Sequence, residues 1–116
     1  MLVDMFPRLR FVPLAIALAV LCAAAAPFVA PSPPTRREIT MTPESYRPGD
    51  LTVQRGDTIV WRNTDIVVHS ATSRTGAFDS GRLKAGQQFA WIARDTGRFA
   101  YLCTKHKLMR GTLTVR

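Results

Sequence analysis

Three side chains able to bind a soft metal fall within seven positions near the C-terminus, in Tyr101-Leu102-Cys103-Thr104-Lys105-His106-Lys107-Leu108-Met109-Arg110-Gly111. This Cys-x2-His-x2-Met spacing offers a thiolate, an imidazole and a thioether from one tight loop. The chain has two histidines, and the other is His69, in Ile66-Val67-Val68-His69-Ser70. Two imidazoles, one thiolate and a weakly held thioether are the ligand set of a mononuclear copper site built for electron transfer. Each donor has its reason. A thiolate stabilises the cuprous state and gives the electron a covalent route, two imidazoles serve both oxidation states, and a long thioether bond tunes the potential.

Taken singly, each residue has an ordinary reading. His69 suits a satisfied core histidine, Cys103 suits packing at a strand end, Met109 suits a sandwich cap, and His106 between two lysines suits a surface residue. The joint spacing points instead to one metal site made of His69, Cys103, His106 and Met109. The same inventory speaks against an enzyme. A trinuclear copper cluster needs many histidines, a thiolate-bridged pair needs a second nearby cysteine, and nothing marks a general base or a substrate pocket. Zinc on Cys103, His69 and His106 is chemically allowed.

The site needs elements to hold it. Short apolar alternations recur between turn signals: Ile39 with Met41, Leu51 with Val53, then Ile59 and Trp61 after Gly56-Asp57 and ending at Asn63. Further runs cover Ile66 to Thr72, Gln87 to Ala93, Arg98 to Cys103 and Gly111 to Arg116. Phe89, Trp91 and Ala93 would share one face, as would Phe99, Tyr101 and Cys103. No window after residue 38 reads as an amphipathic helix. The pattern predicts a small antiparallel β-sandwich over residues 38–116. His69, on a strand 34 positions before Cys103, would meet the ligand loop from the other side.

The beginning of the chain reads differently. Arg8 and Arg10 precede an apolar stretch from Phe11 to Ala26 that ends in Ala23-Ala24-Ala25-Ala26. Charge, apolar run and small residues in that order describe a secretory signal over residues 1–26. An uncleaved anchor is the alternative, and it would be the chain's one tie to a membrane. Residues 27–37 hold Pro27, Pro31, Pro33 and Pro34 and read as a Pro-rich linker. Export implies a periplasmic or otherwise extracytoplasmic protein. Once Cys22 is removed with the signal, Cys103 is unpaired, and in an oxidising compartment a free thiol is best protected by burial or a metal.

The 116 residues carry a formal net charge of +8, and without residues 1–26, which hold Arg8, Arg10 and Asp4, this becomes +7. Export and the lack of a basic run interleaved with aromatics speak against nucleic acid. A monomer with an acidic protein partner is the expectation.

These residues resemble the cupredoxin family, in its plastocyanin and amicyanin branch. The segment Tyr46-Arg47-Pro48-Gly49-Asp50-Leu51-Thr52-Val53-Gln54-Arg55-Gly56-Asp57-Thr58-Ile59-Val60-Trp61-Arg62-Asn63 is similar to the family's approach to its first copper histidine. Phe78-Asp79-Ser80-Gly81-Arg82-Leu83 with Ala85-Gly86-Gln87 resembles the central segment, and Gly97-Arg98-Phe99-Ala100-Tyr101-Leu102-Cys103 the cysteine-bearing strand. The resemblance implies a Greek-key sandwich, one copper ion, His69, Cys103 and His106 as strong ligands and Met109 as the axial one. It implies that Asn63 ties the first-histidine loop to the cysteine-bearing segment. Where relatives often carry asparagine after the first histidine, this chain has Ser70, and where prolines commonly flank the second histidine it has Lys105 and Lys107. The function implied is that of a one-electron carrier serving a redox partner protein; delivery of copper without redox turnover is the alternative.

Overall fold

The computed structural model describes residues 22–116. The charged start and most of the apolar run assigned to a secretory signal lie outside the described residues. Residues 22–30 are exposed and without regular secondary structure, while Pro31–Arg116 form one compact unit. Among the described residues no helix is long and apolar enough to cross a membrane.

The described residues form eight strands, in order β1 (Arg36–Met41), β2 (Tyr46–Arg47), β3 (Asp50–Val53), β4 (Thr58–Asn63), β5 (Thr72–Ser73), β6 (Gln88–Ile92), β7 (Gly97–Leu102) and β8 (Arg110–Val115). They make two four-stranded sheets, β2-β1-β4-β6 and β3-β8-β7-β5, so the fold is the expected all-β sandwich. Its ladders are mixed rather than wholly antiparallel. β1 runs parallel to β4, and β3 runs parallel to β8. Between β1 and β4 the chain crosses to the other sheet to form β3, and such a crossover is what a parallel pair requires.

Alternation along the strands fills the space between the sheets. Ile39 and Met41 of β1, Ile59 and Trp61 of β4, and Leu113 and Val115 of β8 are all buried. Trp61 is fully buried at the centre, its ring 4.9 Å from Phe78, 5.6 Å from Tyr101 and 5.8 Å from Phe89 between centroids. Truncating such a residue to alanine costs about 3–5 kcal/mol.

Two boundaries differ from the sequence reading. β1 begins at Arg36, two residues inside the stretch assigned to the linker, because Arg36 and Arg37 pair with Thr58 and Ile59. The run from Ile66 to Thr72 is not a strand: only Thr72 and Ser73 form β5, and His69 makes an isolated bridge to Leu83. The cause is a competing side chain. Asn63 Nδ2 donates to the Val67 carbonyl at 2.8 Å, occupying an acceptor that a ladder would use, and to the Leu83 carbonyl at 2.8 Å, which also accepts the His69 N–H. Ile66 accordingly stands 91% exposed on a loop.

Candidate metal centre

Cys103 follows the last residue of β7 and is fully buried. The seven-residue loop it opens is closed on itself. The Cys103 N–H donates to the Met109 carbonyl at 3.0 Å, and the Met109 N–H donates to the His106 carbonyl at 2.8 Å. This leaves Met109 buried, His106 half-buried, and Lys105, Lys107, Leu108 and Arg110 on the outside. Closure needs β8 to pass tightly over β7. Tyr101 lies opposite Gly111 in the ladder, and a Cβ on Gly111 would sit 2.9 Å from the Gly49 carbonyl and in the Tyr101 ring. Only glycine fits there.

The opposing wall is the loop after β4. Its frame is Asn63, fully buried, whose side chain spans the loop through Val67 and reaches Leu83. Its Oδ1 accepts the Asp65 N–H at 2.9 Å. His69 exchanges both backbone hydrogen bonds with Leu83, at 3.1 and 2.8 Å. Its ring is thereby presented inward from a position fixed on two sides.

The three strongest donors converge. One ligand atom each from His69, Cys103 and His106 lies within 4.8 Å of the others. Cys103 Sγ is 3.8 Å from His69 Nδ1 and 3.6 Å from His106 Nδ1, and the two imidazole centroids are 4.8 Å apart at 48°. Burial pushes the Cys103 thiol up. Hydrogen bonds from His69, the Ser70 backbone and His106 outweigh it and bring the thiol from 9.0 down to about 6. A thiol that gives up its proton near neutrality is what a metal thiolate needs.

Two charged or polar contacts surround these donors. His69 Nε2, on the far side of its ring, meets Asp65 Oδ2 at 2.8 Å. The His69 hydrogen bond, working against burial, holds the Asp65 carboxyl below its usual range. Ser70 Oγ accepts the Thr104 N–H at 3.0 Å and lies 3.2 Å from Thr104 Oγ1. The residue after the first histidine therefore still ties the two ligand loops together, with a hydroxyl in place of an amide. Asn63 does not make the tie the resemblance implied; among the described residues its side chain bonds Val67, Leu83 and Asp65, not the segment around Cys103.

The donor set fits a copper ion of the electron-transfer type: one thiolate prone to ionise, two imidazole nitrogens facing it, and a buried thioether side chain on the same loop. Met109 is buried on the same loop, and its carbonyl accepts the Cys103 N–H. Sequence reasoning missed Asp65, although an acid four positions before a candidate ligand histidine is a readable signal. It also missed Thr104, whose role depends on a partner 34 residues away that spacing does not reveal.

Comparisons with known proteins agree with this geometry. The model of the cupredoxin-like domain family matches residues 12–115. Amicyanin of Paracoccus versutus is 28% identical over 75 residues, which are 60% of this chain and 57% of that protein. Amicyanin-alpha of Methylorubrum extorquens is 23% identical over 104 residues, covering 85% of this chain and 87% of the relative. The chain thus spans little more than half the length of the first of these relatives. Among solved structures, an oxidised amicyanin variant superposes with a TM-score of 0.65 at 24% identity, over 69% of this chain and 81% of that one, which shows the fold. A purple cupredoxin from Nitrosopumilus maritimus superposes at 0.62 with 26% identity, over 69% and 99%.

Proposed function

The chain belongs to the cupredoxin-like family, and from that premise we propose that it is an extracytoplasmic one-electron carrier with a single mononuclear copper site. The observation that carries the reading is the convergence of His69, Cys103 and His106 within 4.8 Å at the end of the sandwich where Met109 closes the loop. In this reading His69, Cys103 and His106 would hold the ion strongly and Met109 would hold it weakly. Copper held there supplies a one-electron couple, Cu(II)/Cu(I).

The protein's own part is to keep these side chains still. His69 is held by Leu83 and Asp65, Cys103 by the end of β7 and Ser70, and the two loops are locked through Ser70 and Thr104. Ligands that barely move between oxidation states keep the reorganisation cost of transfer small. His106, half-buried beside exposed Lys105, Lys107 and Leu108, is the point where an electron enters and leaves. The exposed Lys105, Lys107 and Arg110 suit a partner protein with an acidic face. The N-terminal segment is assigned to export, with residues 1–26 as the signal or an uncleaved anchor.

The test is to express the full chain, add one equivalent of Cu(II), and record visible and EPR spectra. An intense thiolate-to-copper band with a narrow hyperfine pattern is expected, and Cys103→Ala should abolish it. Colourless or weakly coloured protein would remove the electron-carrier reading. Rapid handover of copper to a metal-free acceptor, without fast electron self-exchange, would favour copper delivery.

A further inference from the structure

The end of the sandwich opposite the ligand loops gathers charge of one sign, where several stretches of backbone meet around Asp57. Arg36 and Arg37 of β1 pair with Thr58 and Ile59, and the Arg55 N–H donates to the Arg116 carbonyl at 2.8 Å. The Gly56 N–H donates to the Ala93 carbonyl at 2.7 Å, which brings Arg94 alongside, and Arg98 lies opposite Thr114 near the end of β8. All six arginines are exposed, and among the described residues none of them is in an ion pair. Acids do not balance them. Asp57 is buried with both oxygens taken by backbone N–H groups, and Asp95 is the one exposed side-chain acid in these segments.

The chain also enters the compact unit at this end. Asp57 holds the Thr35 N–H, and Pro31 and Ser32 line a hollow with Gln54, Arg55 and Arg116. Residues 27–35 alone separate β1 from the apolar run read in the sequence, and at about 3.1 Å each they span at most about 28 Å. An apolar segment and a basic patch are two signals that together hold a protein at a lipid surface. We propose that this arginine pole docks on anionic lipid headgroups, with the ligand loops turned away toward solution. A guanidinium grips a phosphate with two parallel N–H bonds, so exposed, unpaired arginines suit that partner. The six residues of β4 put about 20 Å between the two ends, so lipid at one leaves the other open to a protein partner.

The test is co-sedimentation of the full chain with vesicles of phosphatidylcholine or of phosphatidylglycerol. Binding to the neutral lipid measures the apolar N-terminal segment, and the excess on the anionic lipid measures the pole. That excess should fall steeply as salt is added. Arg55→Ala with Arg116→Ala should reduce it about 25-fold, at about fivefold for each arginine near a charged surface. Lys105→Ala with Lys107→Ala removes the same formal charge from the other end and should change it by less than about twofold, since screening confines each cluster to its own end. Equal losses from the two pairs would mean that net charge alone attracts the protein, and would overturn the proposal; so would equal binding to the two lipids. Modification of the wild type by phenylglyoxal gives a second readout. Anionic vesicles should protect Arg55 and Arg116 and leave Arg110 reactive, whereas equal protection of all three would overturn the orientation. If the arginine variant fails to fold, this footprint decides. A protein that ignores phosphatidylglycerol but binds an oligonucleotide with the same arginine dependence would have a nucleic-acid partner, and the lipid proposal would fall. None of these readouts uses copper, so their failure and that of the electron-carrier reading are distinguishable.

Discussion

β4 ends in an aspartate loop at each terminus, and the two aspartates are put to different uses. At its start, Asp57 is buried and serves the backbone: Oδ1 accepts the Thr35 N–H at 2.8 Å and Oδ2 accepts the Gln54 N–H at 2.9 Å. Past its other end, Asp65 serves a side chain, the His69 imidazole. The first carboxylate fastens three stretches of chain. The Asp57 carbonyl also accepts the Ala93 N–H, so β1, the turn after β3 and the end of β6 all meet there. The second does little for the chain beyond its own loop. One end of the sandwich is built to be closed, the other to hold three donors that would repel or share protons until a cation joins them.

The comparison can be broken by pH in the metal-free protein, and here the largest effect is expected. The folded Cys103 thiol lies near 6 and the unfolded one near 9, so between those values the unfolded chain binds more protons and stability rises with pH. The contribution is complete above about 9 and is lost as pH falls through about 6. Each unit in that window is worth at most about 1.4 kcal/mol. Asp57 has the same sign in a different range. Hydrogen bonds from the Thr35 and Gln54 N–H groups hold its carboxyl below 3.8 in spite of burial, so its contribution is present above that value and withdrawn only in stronger acid. Urea titrations of the metal-free chain from pH 5 to 9 should show a rising slope that Cys103→Ala removes. A flat profile would mean that the thiol is not held ionised by the fold.

Next in size is Asp57→Asn. An amide can accept one of the two N–H groups but must turn a donor toward the other, and losing a hydrogen bond to a charged acceptor costs about 1.5–3 kcal/mol. The midpoint of urea unfolding should fall accordingly, while the copper spectrum and potential stay as in the wild type. Asp65→Asn removes a charge 2.8 Å from the His69 ring and should give the reverse pattern, a shifted potential with little loss of stability. If both variants lost stability alike and neither moved the potential, the division between a structural end and a metal end would be wrong.

How much of this was legible in the sequence follows the same division. The sandwich could be read because β1 and β8 bury alternate residues, as Ile39 with Met41 and Leu113 with Val115 do. That Cys103 and His106 come together could be read because they sit in one short loop, where short range fixes geometry. What failed was the stretch from Ile66 to Thr72. Its apolar residues look like a strand, but the deciding contact is the Asn63 amide on two carbonyls, one of them 20 residues away. The parallel pairings of β1 with β4 and β3 with β8 escaped for a similar reason, since local pattern carries no information about which distant strand lies alongside.

The smallest effect concerns charge, because both ends are basic. Arg55 and Arg116 are exposed and their backbones meet beside Asp57; Lys105, Lys107 and Arg110 surround His106, with Arg110 Nε donating to the Lys107 carbonyl at 3.1 Å. The six residues of β4 separate the ends by about 20 Å at about 3.3 Å per residue. At physiological salt, fields between exposed charges fade over about 8 Å. An electron passing through His106 should therefore feel the near cluster and not the far one. With an anionic iron–EDTA reductant as probe, the second-order rate should fall as salt is added, and Lys105→Ala with Lys107→Ala should slow it several-fold at low salt. Arg55→Ala with Arg116→Ala removes the same formal charge and should leave the rate nearly unchanged. Equal slowing by the two pairs would mean that net charge alone attracts the reductant, and the cluster around His106 would lose its claim to steer a partner.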